Sequence, residues 1–75
     1  MNFGDALELL KQYGHVRRAG WNGPGQKVYM ASGLVHGQTP LNPVFVLQNA
    51  QGFHQPGWLP SMGDMLAGDW EIASE

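Results

Sequence analysis

The sequence contains no cysteine, which excludes a disulfide framework and a thiolate metal site. A chain of 75 residues is one domain. A domain of this size buries only about 60% of its unfolded surface and is therefore marginally stable alone. The chain is nevertheless 43% apolar, with three Trp, three Phe and two Tyr. We expect residues 1–75 to form a single domain that gains stability by self-association.

Positive charge is also scarce, because only four residues are Lys or Arg and the net charge is -2. DNA- and RNA-binding proteins usually carry a basic patch and a high isoelectric point, whereas the value here is about 5.8. A nucleic-acid polymer is therefore not the expected partner. No apolar run approaches the ~18 residues of a membrane span, and the first residues lack the basic and apolar regions of a signal peptide. These features predict no membrane association and a cytoplasmic location.

The spacing of apolar residues predicts an α+β fold. Apolar residues at helical spacing, with Asn2 as N-cap and Gly14 in a left-handed conformation, predict a helix over 3–13. Ser61 begins a helical turn before the end of the chain. Alternating apolar residues bounded by turn formers predict strands over 15–21, 26–31, 43–48, 53–58 and 69–73. We expect one N-terminal helix packed on a small antiparallel sheet of four to five strands, with the short helical turn before the last strand.

The strand predicted at 43–48 is apolar on both faces, and a single helix covers only one of them. We expect a second copy of the chain to cover the other face. Residues 32–42 are expected to form a loop, with a short strand at 34–35 as the alternative. The turns are predicted at 21–25 and 49–52. The residues assigned to the core are Phe3, Leu7, Leu10, Val28, Val46 and Trp70.

No residue pattern indicates catalysis. His15, His36 and His54 are scattered without metal-ligand spacing, so the sequence predicts no metal and no other cofactor. No serine lies in a nucleophile motif, and no glycine-rich segment matches a phosphate-binding loop. Asp69 and Glu71 lie close enough in sequence to form an acid–base pair, but nothing in their spacing supports one.

Residues 17–22 instead concentrate groups that bind small phosphorylated ligands. Arg17 and Arg18 are two of the four basic residues, and adjacent guanidinium groups bind phosphate oxygens through charge-assisted hydrogen bonds. Trp21 offers a flat surface on which a base stacks, and Asn22 supplies an amide. The alternatives are structural. On a strand the two arginines point to opposite faces, so that one is a surface charge and the other a structural hydrogen-bond donor, and Trp21 is a core anchor.

A second candidate segment begins at Trp58. This indole precedes Ser61, a hydroxyl at a helix start, and Asp64 follows three residues later in a capping arrangement. The pattern predicts a stacking wall beside a helix end that attracts anions. The alternative is a turn packed on the core.

These segments, with the beginning of the chain, also resemble a known family. The resemblance is carried by Met1-Asn2-Phe3-Gly4-Asp5-Ala6-Leu7, by Val16-Arg17-Arg18 leading to Gly20-Trp21-Asn22-Gly23, and by Trp58-Leu59-Pro60-Ser61, Asp64-Met65-Leu66-Ala67 and Asp69-Trp70-Glu71-Ile72. They are similar to the second Thoeris anti-defense family of phages. The resemblance implies a protein that sequesters the cyclic ADP-ribose-type messenger of Thoeris immunity without cleaving it, and in some members also the cyclic oligonucleotides of CBASS immunity at a separate site. It further implies a homo-oligomer, commonly a tetramer, with ligand pockets between subunits, in the cytoplasm of the infected bacterial host.

The residue patterns and the resemblance together predict a binding site without turnover. The predicted contacts are Arg17 and Arg18 with phosphate, Trp21 and Trp58 with the base, and Asn22, Ser61 and Asp64 with the ribose or the base edge. Two rival hypotheses remain. One is an enzyme that hydrolyses the same messenger, and the other is a protein-interaction module that blocks a host defence protein directly.

Overall fold

The N-terminal helix begins where the sequence predicts. In the computed structural model, which describes residues 1–23 and 25–74, helix α1 spans Phe3–Lys11. The Asn2 side chain accepts a hydrogen bond from the backbone N–H of Asp5 at 2.8 Å, which caps the first turn. α1 therefore starts at the predicted residue and ends two residues before the predicted one.

The end of α1 corrects the predicted use of Gly14. The left-handed residue is Tyr13, with φ 64°, and not the glycine. The Gly14 N–H donates to the Leu9 carbonyl at 2.8 Å, and the Tyr13 N–H donates to the Leu10 carbonyl at 2.9 Å, as in a Schellman motif. A Cβ on Gly14 would lie 3.0 Å from the Leu9 oxygen. The glycine is thus required for close approach rather than for positive φ.

Five strands form the antiparallel sheet that the sequence predicts. They are β1 (Val16–Arg18), β2 (Lys27–Ala31), β5 (Val44–Gln48), β6 (His54–Pro56) and β7 (Trp70–Ile72), in the spatial order β6-β5-β2-β1-β7. Two further short strands, β3 (Val35–His36) and β4 (Thr39–Pro40), pair in a separate hairpin. The segment 32–42 is therefore a hairpin, and the expectation of a plain loop was wrong. The strand proposed as the alternative at 34–35 begins one residue later.

The predicted strands at 15–21 and 53–58 are shorter than expected. β1 ends at Arg18 because the chain turns, with the Trp21 N–H donating to the Arg18 carbonyl at 3.1 Å. β6 ends at Pro56, where the N–H groups of Gly57 and Trp58 both donate to the Phe45 carbonyl. The turn at 49–52 is confirmed, since the Asn49 side chain accepts from the N–H groups of Gln51 and Phe53. The predicted turn at 21–25 includes Pro24, which lies outside the described residues.

Strand register divides the sheet into two faces. Val16 lies opposite Val28, which lies opposite Leu47, and these side chains face α1. Alternation places Arg17 on the opposite face from Val16. The core cluster consists of Ala6, Leu10, Val16, Val28 and Trp70, all with 2% exposure or less. Of the residues assigned to the core, Leu10, Val28, Val46 and Trp70 are buried, whereas Phe3 and Leu7 are half-buried.

A short second helix, α2 (Met62–Leu66), precedes β7 as predicted. Ser61 and Asp64 form the expected capping box, in which each side chain accepts from the other residue's backbone N–H at 3.0 Å. Neither helix in residues 1–23 and 25–74 is long and apolar enough to cross a membrane.

Candidate functional site

Arg18 joins the end of β1 to α2 and β7. Its Nε donates to Asp69 Oδ1 at 2.9 Å, and its Nη1 donates to Asp64 Oδ1 at 3.0 Å. Hydrogen bonds with Asp69 and then with Asp64 raise the pKa of Arg18. One alternative considered for the arginine pair, a structural hydrogen-bond donor, is thus the arrangement that the structure shows for Arg18.

Asp64 is the central acceptor of this network and is only 9% exposed. Its Oδ1 also accepts from the indole N–H of Trp21 at 3.4 Å, and its backbone carbonyl accepts from the indole N–H of Trp70 at 2.9 Å. Burial alone would raise the pKa of Asp64, but hydrogen bonds from Ser61, Arg18 and Trp21 together hold it below its ordinary value. The carboxylate is therefore ionised near neutral pH and fixed in place.

Asp69 is the second carboxylate that holds Arg18, a role that was not predicted from the sequence. Its other oxygen accepts from the Gly20 N–H at 2.9 Å. The hydrogen bond from Arg18, and then that from Gly20, lower the pKa of Asp69. A Cβ at Gly20 would lie 2.9 Å from this oxygen, so a larger residue there would displace the carboxylate.

The lowered pKa values of Asp64 and Asp69 predict acid sensitivity. For both groups the unfolded chain binds protons more readily than the folded one, so their stabilisation is complete above about pH 5 and is lost as pH falls below about 3.9. We expect Asp69→Asn to be less stable than the parent at pH 7 and to lose less stability on acidification. Urea denaturation at a series of pH values measures the stability at pH 7 and its loss on acidification. Glu8→Gln, at an exposed carboxylate of α1, is the control, and equal pH dependence in Asp69→Asn and the parent would contradict the prediction.

Three indoles pack around this network. Trp21 lies edge-on to Trp70, with ring centroids 5.4 Å apart, and Trp58 lies edge-on to both, at 6.3 and 6.4 Å. Trp21 and Trp58 are half-buried, whereas Trp70 is buried. Trp21 and Trp58 therefore support the core and still present part of their surface to solvent.

Arg17 lies on the opposite face of the sheet from Arg18. Its Nε donates to Glu71 Oε1 at 2.7 Å, across the β1–β7 pair. Both side chains are more than two-fifths exposed. Among the described residues, this is the only hydrogen bond of the Arg17 side chain, so its terminal Nη groups are available to a ligand.

A cavity of about 240 Å³ lies at the end of β1 and brings part of the predicted site together. Arg17, Arg18 and Trp21 all line it. The residues that sequence reasoning missed are Ala19, Gly23, Gly25, Gln26 and Glu71. Most of these lie in the turn after β1, where only the fold could show that they face the arginines.

The other predicted site residues do not line this cavity. Asn22 is exposed beside it, and Ser61 and Asp64 are engaged in the cap of α2. Trp58 lines a separate, mostly apolar cavity of about 320 Å³, together with Phe45 and Leu59. The structure thus unites three of the seven predicted residues around one cavity. It connects Asp64 to them through Arg18 and Trp21.

Within residues 1–23 and 25–74, no three His, Cys, Asp or Glu side chains lie close enough to hold an ion. The Tyr29 hydroxyl and His54 Nδ1 are hydrogen-bonded at 2.8 Å, and the His15 ring stacks on Tyr29 at 4.9 Å. The sequence did not suggest this aromatic group, because its members come from three different parts of the chain.

The fold and the cavity at the end of β1 define a small α+β domain with a candidate anion-binding site. The sequence profile of the Thoeris anti-defense 2-like domain family matches residues 1–73, and the chain belongs to this family. It is 36% identical over 85 aligned positions to Thoeris anti-defense 2 of Bacillus phage SP01, covering 99% of this chain and 96% of that protein. The family resemblance stated from the sequence is confirmed. Membership supports a phage anti-defence role against Thoeris immunity in the infected host cell.

Proposed function

We propose that the protein binds a cyclic ADP-ribose-type messenger of Thoeris immunity and withholds it from its effector without cleaving it. The observation that carries the proposal is the cavity walled by Arg17, Arg18 and Trp21. The guanidinium groups of Arg17 and Arg18 offer hydrogen-bond donors to phosphate oxygens, and an indole provides a stacking surface for a purine. Membership of an anti-defence family supplies the biological setting.

The energetics of such a cavity suit a sequestering protein. Charge-assisted hydrogen bonds contribute roughly 1.5–3 kcal/mol each, and stacking on an aromatic ring contributes about 1–3 kcal/mol per base. Two charge-assisted hydrogen bonds and one stacked base on a preformed surface give about 4–9 kcal/mol, and contacts from a second subunit would supply the rest of the ~12 kcal/mol of nanomolar binding. Arg18 is preformed in this sense, because Asp64 and Asp69 fix its position before the ligand arrives.

The chemistry of the surrounding carboxylates favours binding over hydrolysis. Asp64 and Asp69 accept hydrogen bonds from Arg18, and Glu71 accepts one from Arg17. The pKa values of Asp64 and Asp69 lie below the ordinary range, whereas a general base works best with a pKa near the operating pH. These side chains therefore suit the positioning of cations better than proton transfer.

Cavity size supports assembly of the site between subunits. Pockets that enclose drug-sized ligands measure roughly 300–1,000 Å³, and the cavity of one protomer is about 240 Å³. A second copy would complete the enclosure. Several large apolar side chains are at least 70% exposed and would suit such contacts: Phe53, Leu59, Met62, Leu66 and Ile72. We propose a homo-oligomer, with a tetramer as the expected state.

Native mass spectrometry with a panel of cyclic ADP-ribose isomers and CBASS-type cyclic oligonucleotides tests the proposal. We expect an oligomer that retains a cyclic ADP-ribose isomer in fixed stoichiometry, and intact messenger after heat denaturation of the complex. Recovery of a cleaved product would show an enzyme instead.

The exposed apolar side chains around α2 also suit direct docking on a host defence protein. Absence of binding across the panel, with capture of a host defence protein, would establish that alternative.

A further inference from the structure

A second cavity adjoins the first. It measures about 260 Å³ and shares Arg17, Gly25 and Gln26 with the first cavity, to which it adds Lys27 and Gln48. Three of the four basic residues of the chain, Arg17, Arg18 and Lys27, therefore line two adjoining cavities. Lys27 was not among the site residues predicted from the sequence.

Strand register explains why these side chains meet. Glu71 lies opposite Arg17, and Gln48 lies opposite both Lys27 and His54. Because Val16 lies opposite Val28, Arg17 and Lys27 occupy the next position of the neighbouring strands. The five polar side chains form one row across all five strands, on the face of the sheet away from α1.

The charge of Lys27 is less compensated than that of the other basic residues. Lys11 pairs with Glu8, Arg17 with Glu71, and Arg18 with Asp64 and Asp69. Lys27 donates to the Ser74 carbonyl at 2.6 Å, and over residues 1–23 and 25–74 no carboxylate lies within ion-pair distance of it. An ammonium group in a polar cavity, held by a neutral acceptor, favours an anion beside it.

We propose that Lys27, with Gln48, forms a second anion-binding position that is joined to the first through Arg17. This inference rests on the proposed function. The two cavities then hold one ligand, with one anionic group against Arg17 in the first cavity and a second against Lys27. Ligands with two linked phosphates are preferred over those with one.

Lys27→Gln tests this position by calorimetry with cyclic ADP-ribose, which has two phosphates, and 3′,5′-cyclic AMP, which has one. We expect Lys27→Gln to lower the affinity for cyclic ADP-ribose about tenfold and to change that for cyclic AMP less than twofold. Lys27→Arg, which keeps the charge, is expected to retain affinity for cyclic ADP-ribose within about threefold of the parent. Lys11→Gln removes the one basic side chain outside the two cavities and serves as the matched control.

The outcomes separate this inference from the proposed function. If the parent binds cyclic ADP-ribose and Lys27→Gln binds it equally well, the second position does not exist and the proposed function stands. If Lys27→Gln weakens both probes equally and lowers the melting temperature, Lys27 is structural and the inference is overturned. A parent protein that binds no member of the panel overturns both.

Discussion

Replacement of Trp70 by Ala is expected to lower the free energy of unfolding by about 4 kcal/mol, because large-to-small changes of a buried aromatic residue typically cost 3–5 kcal/mol. Trp70 is 2% exposed and lies at the centre of the core cluster. Its ring contacts Phe3 of α1 at 5.6 Å and Trp21 at 5.4 Å, and its N–H donates to the Asp64 carbonyl. The substitution would therefore remove contacts to α1, to the arginine segment and to α2 together.

Urea denaturation followed by far-ultraviolet circular dichroism measures the loss. Protein concentration must be equal for all variants, since self-association makes stability depend on it. Val35→Ala, in the β3–β4 hairpin, is the control, because this side chain is 63% exposed and its removal should change stability by less than about 0.5 kcal/mol. A loss below about 1 kcal/mol for Trp70→Ala would contradict the core described above, whereas a variant that is unfolded in buffer would agree with a small domain of marginal stability.

Local signals in the sequence predicted the parts of the fold that depend on near neighbours. Asn2 caps α1, and Ser61 and Asp64 cap α2, because each hydrogen bond spans three residues and any chain with these residues can form it. The turn held by the Asn49 side chain also depends on hydrogen bonds between near neighbours in the sequence. Alternating apolar residues likewise indicated the five strands of the main sheet, although three of the strands end before the predicted residue.

Tyr13 shows where local reasoning fails. A glycine after a helix usually takes the left-handed conformation, so Gly14 was the natural prediction. In the structure the helix ends at Lys11, two residues before the predicted end, and Tyr13 takes positive φ while Gly14 passes close to the Leu9 oxygen. The exact end of the helix determines which residue takes each position, and helix ends are set by tertiary contacts as well as by propensity.

The candidate site was predictable in composition but not in arrangement. Arg17 and Arg18 look equivalent in sequence, yet strand alternation places them on opposite faces, as one of the alternatives anticipated. The partners of Arg18 are Asp64 and Asp69, which are distant in sequence and are brought to it by α2 and the β1–β7 pairing. Lys27 was missed because its significance comes from neighbouring strands rather than from its own segment.

Because Arg17 and Arg18 lie on opposite faces of the sheet, we expect their replacement to affect ligand binding and stability differently. Arg17→Ala is expected to weaken messenger binding about 100-fold, because it removes the guanidinium group that lines both cavities. The melting temperature should change by no more than about 2 °C, since an exposed ion pair contributes little to stability. Calorimetry with cyclic ADP-ribose and a thermal melt of the same preparation measure the two effects.

Arg18→Ala, at the adjacent residue, is the matched comparison for Arg17→Ala. It should lower both the affinity and the melting temperature, because Asp64 and Asp69 lose the cation that they share. Arg17→Lys keeps the charge but not the planar fork, and we expect it to regain only part of the lost affinity. If Arg17→Ala binds like the parent, the cavity at the end of β1 is not the messenger site. If it destabilises the fold as much as Arg18→Ala does, the separation of a binding arginine from a structural one is wrong.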